Sequence, residues 1–208
     1  MKAMRVLAPI LFAVLVSLYA GLAWATQVLP VSVPGLLKAE LAFRGTCTGA
    51  ETYILYHPKI SGGLLVTTYT FSVPADGVIK GDVSETISFT QLGASIKDSR
   101  KFNAPYVVGM PHYEVGKEYT VFLTGQSVLG LRSTIGLGMG RFNVITDPGG
   151  KRMVVNDYDN RGLFQGIGDR PAVTKALKAA GVPRERVVVG PIPEQDFTDI
   201  VRSLQPGK

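Results

Sequence analysis

LLVTTYTFSVPADGVIKGDVSETISFTQL, Leu64 to Leu92, is the stretch whose reading decides the fold. Leu65, Thr67, Tyr69, Phe71 and Val73 fall on one side of the chain, and Val66, Thr68, Thr70 and Ser72 on the other. From Glu85 the pattern resumes, with Ile87 and Phe89 opposed to Thr86, Ser88 and Thr90. Period-two alternation rich in Thr, Tyr, Phe and Val marks half-buried strands. Pro74-Ala75-Asp76-Gly77 and Lys80-Gly81-Asp82 between them are turn signals, since Pro presets φ while Gly and Asp tolerate left-handed backbone.

On the N-terminal side, Thr26 to Gly35 reads as an extended lead-in with Pro30 and Pro34, Leu36 to Leu41 as a short helical turn, and Leu41 to Cys47 as a first strand. Thr48 to Gly63 is a loop that either exposes Tyr53, Tyr56 and His57 or continues the strand through Thr52 to Tyr56. On the C-terminal side, Gly93 to Pro111 lacks periodicity and carries Lys97, Arg100, Lys101 and Tyr106. A connection of that length is either mobile or functional. Glu118 to Leu123 is apolar on both faces, the mark of a central, covered strand. Val128 to Ile135 reads as a further strand. GLGMG (136–140) leads into Arg141 to Thr146, and Asp147-Pro148-Gly149-Gly150 turns the chain so that Lys151 to Val155 returns antiparallel. Two helices follow. Pro171 to Ala180 has Pro in its first turn and Gly181 at its C-cap. Glu194 to Leu204 places Phe197, Ile200, Val201 and Leu204 on one stripe that packs against the protein's own barrel, with a docking helix for a partner as the minor alternative.

The chain has 208 residues, enough for one domain with its own core, and 24 glycines, in keeping with many turns. Residues 1–25 have the form of a secretory signal: Lys2 and Arg5, an apolar run from Val6 to Leu22, then Ala23-Trp24-Ala25. The alternative is a membrane anchor over residues 6–22. Cleavage leaves Thr26 first, with 20 basic against 16 acidic residues and a net charge of +4. That mild excess, without a Lys/Arg run, points away from nucleic acid. Cys47 is the only cysteine, so no intramolecular disulfide forms and the core alone holds the fold. It alternates with Leu41, Phe43 and Gly45, the setting of a buried strand residue.

No motif for chemistry emerges. His57, His112 and Cys47 lack the paired spacing of a zinc site, so neither metal nor cofactor is expected. GLGMG precedes a strand where a phosphate loop needs a helix, and reads instead as a bulge or close strand crossing. Asp157, Asp159 and Asn160 make a polar turn rather than a calcium loop. Asp76, Asp82 and Glu85 sit in turns, where a carboxylate stays solvated.

The order AFRGTC, TTYTFSV, IKGD, ETISF, GMPHYEVGKEYTVFL and GRFNV, followed by a C-terminal helix, resembles a group of secreted, largely uncharacterised bacterial proteins, some associated with matrixin-like zinc peptidases. It is also similar to the OB-type barrel of netrin-like domains and tissue inhibitors of metalloproteinases. The likeness spans about Leu41 to Val155. Those inhibitors chelate zinc through an N-terminal cysteine and carry stapling disulfides. Thr26 and the lone Cys47 depart from that pattern, as does the PADG insertion, so the inhibitory mechanism does not carry over residue by residue.

The expectation is therefore a mainly β protein, an OB-like antiparallel barrel over residues 26–160 with a C-terminal helical segment over 161–208 packed on it. A β-sandwich is the alternative. The expected role is a non-catalytic binding module, secreted or periplasmic, with a protein partner for which a peptidase is one class. The expected contacts are Tyr53, Tyr56, His57, Lys97, Arg100, Lys101 and Tyr106, because recognition concentrates on loops held by a rigid scaffold. The other readings are a structural envelope protein and a hydrolase using Cys47.

Overall fold

A 17-residue strand, β1 (Leu41–His57), runs through the middle of the sheet. The computed structural model describes residues 30–58, 60–167, 170–179 and 190–205. The signal segment, the Thr26 terminus and the Gly181 cap lie outside those residues. The remaining strands are β2 (Ile60–Ser72), β3 (Val78–Lys80), β4 (Thr86–Leu92), β5 (Glu118–Leu123), β6 (Arg141–Thr146), β7 (Arg152–Asn156) and β8 (Ile192–Pro193). They form one antiparallel sheet in the order β4-β2-β1-β5-β6-β7-β8, with β3 also paired to β1. Helices α1 (Val33–Leu36), α2 (Ile96–Lys101), α3 (Pro171–Ala179) and α4 (Glu194–Ser203), with 3₁₀ turns at Ala75–Gly77 and Leu137–Met139, complete the described elements.

The alternation in Leu64 to Leu92 is realised as β2 and β4, with Tyr69 opposite Phe89 and Phe71 opposite Ile87. Leu65, Thr67, Tyr69, Phe71 and Val73 are all buried. The chain between these strands takes a 3₁₀ turn (Ala75–Gly77) and then adds β3 to β1 at Ala42 and Phe43. The doubly apolar EYTVFL stretch becomes β5, the middle strand of the order, and its two faces feed two cores. Tyr119, Val121 and Leu123 join Phe43, Cys47, Tyr69, Phe71, Phe89 and Tyr113 on one side. Phe122 joins Phe142, Val154, Ile192 and the α4 stripe of Phe197, Ile200 and Val201 on the other.

Several expectations are corrected. Of the two readings of Thr48–Gly63 the continued strand holds and the loop does not, because the segment forms a long β1–β2 hairpin paired as far as His57 and Ile60. The Gly93–Pro111 connection holds α2, whose first turn is closed by Ser95 Oγ accepting from the Asp98 backbone N–H at 3.1 Å. The helical turn expected over Leu36–Leu41 forms earlier, as α1, because Pro34 suits a first turn. Val128–Ile135 is not a strand. Ser127 Oγ accepts from the Leu129 and Leu131 amides, which curls this segment, and only single bridges, Leu131 to Thr90 and Thr134 to Leu123, tie it to β4 and β5. For that reason the ladder is an open sheet and not a continuously closed barrel. The β6–turn–β7 hairpin forms as expected.

Candidate functional site

Four segments converge on a cleft of about 510 Å³, which Tyr106, Met110, His112, Gly138, Arg141, Asp157 and Tyr158 help to line. The fold builds each wall differently. On one side the chain from Pro111 to Glu114 is tied to the inner core. The Tyr113 ring lies edge-on to Tyr69 at 4.7 Å and to Tyr119 at 5.2 Å between centroids. The Tyr119 hydroxyl accepts from the Glu114 amide at 2.9 Å, and Gln91 Nε2 donates to the Pro111 carbonyl at 2.7 Å. The imidazole of His112 is left facing the cleft wall, with Nδ1 at 3.3 Å from the Tyr69 hydroxyl and the Tyr106 ring 5.8 Å away.

The opposite wall is the turn after β7. Asn156 and Asn160, both buried, exchange backbone-to-side-chain hydrogen bonds of 3.0 and 2.8 Å. Asn160 Nδ2 also donates to the carbonyls of Val154 and Gly190. This clamp presents Asp157 and Tyr158 to the cleft. Gly138 closes the floor. A Cβ at that position would run into the Asp157 carboxylate, so any larger residue has to push that side chain aside. The GLGMG segment, expected as a bulge or close strand crossing, is instead a 3₁₀ turn (Leu137–Met139), started by Gly136 at φ 64°.

Arg141, the first residue of β6, joins the walls. One Nη donates to the His112 carbonyl, the other to Asp157 Oδ1, and the guanidinium lies 5.6 Å from the Tyr119 ring centroid. Its side chain is 14% exposed and that of Asp157 33%. A planar fork is what allows two acceptors to be held at once. Burial pushes the His112 pKa below the usual imidazole value, and the Arg141 charge pushes it the same way. Burial raises the Tyr69 pKa to about 12. The phenol therefore keeps its proton at neutral pH and is able to donate it to His112 Nδ1. Arg141 Nε and His112 Nε2 are buried without a hydrogen-bond partner among the described residues.

Of the seven expected contact residues only Tyr106 lines this cleft. Tyr53, Tyr56 and His57 are on the hairpin strand β1, with the Tyr53 hydroxyl 3.3 Å from Thr68 Oγ1. Lys97, Arg100 and Lys101 are exposed on α2. His112, Gly138, Arg141, Asp157 and Tyr158 were not expected as a group. The NDYDN turn and the GRFNV strand were visible, but no local spacing connects them to His112.

A second cleft, about 640 Å³, lies beside a charged cluster. Arg44 pairs with Asp76, Glu118 and Glu194, and Arg152 with the same two glutamates. This cluster fastens α4 to β1, β5 and β7. Asp82 and Glu85 are exposed, as their turn setting implied. Cys47 is fully buried, its thiol donates to the Gly49 carbonyl, and burial raises its pKa. That setting disfavours the thiolate a nucleophile needs. Among the described residues, no group of three or more His, Cys, Asp or Glu is placed to hold a metal ion, and no helix is long and apolar enough to cross a membrane.

No family model, curated protein or solved structure matches the chain. The functional reading therefore stands on the residues and their geometry.

Proposed function

We propose that the protein is a non-catalytic binding module acting outside the cytoplasm on a protein partner, with a secreted peptidase as the expected partner class. The export half of this reading comes from the form of residues 1–25. The binding half is carried by the β1–β2 hairpin. Among the described residues, the β5 ladder covers β1 only from Leu41 to Thr46, and from Thr48 onward β2 is the one strand paired to it. An edge of unpaired backbone is a template for strand addition by a partner. On this arm Tyr56 is 78% exposed. Tyrosine is among the side chains that most often anchor interfaces.

The test is capture from the native secreted fraction with the tagged full chain as bait, read by mass spectrometry. The comparison is a Tyr53→Thr/Tyr56→Ser double variant. Loss of the captured protein by the variant supports the hairpin as the contact. Equal capture removes the hairpin from the account. If the wild-type chain retains no protein above a bead control, the binding-module reading itself fails.

A further inference from the structure

The cleft holding Arg141 carries a more specific inference, which rests on the partner being a protein. We propose that this cleft takes an uncharged, extended peptide segment of the partner, with Arg141 donating to a peptide carbonyl and Asp157 accepting from a peptide N–H.

Charge selects for that ligand class. Arg141 is paired with Asp157, and Glu114 with Lys117 at 2.8 Å. Each charged residue that lines the cleft is thus held in an ion pair, which weakens its pull on a charged ligand. What the pair offers instead is a donor and an acceptor side by side. A guanidinium has five N–H groups, and the bonds to His112 and Asp157 occupy two of them. The Asp157 carboxylate, 33% exposed, keeps accepting capacity beyond its bond to Arg141. A peptide unit presents one carbonyl and one N–H, the matching set.

The walls fit the rest of such a segment. Tyr106 and Tyr158 supply aromatic surface on opposite sides, and Met110 adds an adaptable apolar one. The volume of about 510 Å³ is that of a site for a few residues and not for a domain. Two polar atoms in the wall, Arg141 Nε and His112 Nε2, lack partners among the described residues. Buried polar groups are nearly always paired, so each is a place where a hydrogen-bonding ligand that shifts the side chain gains an interaction.

The experiment uses the full chain and fluorescent, acetylated and amidated hexapeptides. One pool has no ionisable residues, and matched pools contain Lys, Glu or phosphoserine. Binding is read by anisotropy, beside a neutral oligosaccharide. The variants are Tyr106→Ala, on the exposed rim, and Asp157→Asn, each checked by thermal melt for folding. The expected result is binding of the uncharged pool, weakened about tenfold in either variant. Preference for a charged pool, unchanged affinity in folded variants, binding of the oligosaccharide alone, or no peptide binding up to about 1 mM overturns it. Partner capture that persists while no peptide binds sinks this proposal and leaves the binding-module reading intact. Peptide binding with no protein captured leaves the cleft as a peptide site but sinks the binding-module reading, and with it the peptide's origin in a partner.

Discussion

Replacing Asn160 with alanine tests the claim that a pair of buried asparagines builds one wall of the cleft. Asn160 is fully buried and sits at φ 58°. Its side chain accepts from the Asn156 amide and donates to the carbonyls of Val154 and Gly190, at 2.9 to 3.0 Å. Alanine removes all three bonds and strands their partners. At about 1 kcal/mol per bond the loss is roughly 3 kcal/mol, and any partner that water fails to reach adds to it. An alanine Cβ in the left-handed region costs about 1 kcal/mol more. The expected destabilisation is about 4 kcal/mol, a drop in Tm of roughly 8–16 °C for a chain of this size. Urea titrations on wild type, Asn160→Ala and Asn160→Gly separate the two contributions. Glycine loses the same bonds but tolerates the backbone, so it should lie about 1 kcal/mol above alanine. The midpoint should move without a change in m-value, which reports the surface exposed. A loss under about 1 kcal/mol for Asn160→Ala would refute the clamp. Equal stability of the glycine and alanine variants would refute the part assigned to backbone conformation.

The other predictions concern titration, charge and the thiol. His112 is held below its ordinary pKa, so the unfolded chain binds a proton more readily than the folded one. Stability is then at its full value above about pH 6.5 and falls on acidification below it, levelling off beneath the folded pKa. His112→Gln should flatten that part of a stability-against-pH curve, and an unchanged curve counts against the assignment. Arg44→Met leaves Glu118 and Glu194 to share Arg152, and because Arg44 is still 17% exposed the expected loss is about 1–3 kcal/mol by urea titration. That loss should be smaller in about 0.5 M salt, and a loss independent of salt would point to packing and not charge. Cys47 is buried with a raised pKa, so a thiol reagent should leave the native protein unlabelled and label it fully in urea. Rapid labelling of the native protein would contradict the buried placement.

Most of the sheet was legible because its signal is local. The faces of β2 and β4 follow from alternation within one stretch. The doubly apolar β5 has to be covered on both sides, and it is. The α4 stripe finds the sheet because Phe197, Ile200 and Val201 fall on one side of a helix. The errors lie where a polar or turn-forming residue decides the backbone. Ser127 curls Val128–Ile135 although its composition suits a strand. Ser95 and Asp98 cap a helix of only six residues, too short to show a periodic face. The hairpin tip reads equally as a loop and as a continued strand, because Gly62 and Gly63, both at positive φ, interrupt a strand without ending it.

The cleft was illegible for a different reason. Its walls come from the chain near His112, from Gly138 and Arg141, and from Asp157, and each is locally an ordinary polar turn or strand end. What relates them is support from separate structures. The His112 wall hangs from the aromatic cluster of Tyr69, Tyr113 and Tyr119, whereas the Asp157 wall hangs from β7 and the Asn156–Asn160 pair. Arg141 reaches both, and it does so from a strand that is itself paired to β5 on one side and β7 on the other. A lysine there could meet one acceptor as a point charge, but it could not hold the His112 carbonyl and the Asp157 carboxylate in one plane over Tyr119. The width of the cleft is therefore set by the span of a single guanidinium. A ligand that bonds to Arg141 competes with, or adds to, the two contacts that keep the walls in register.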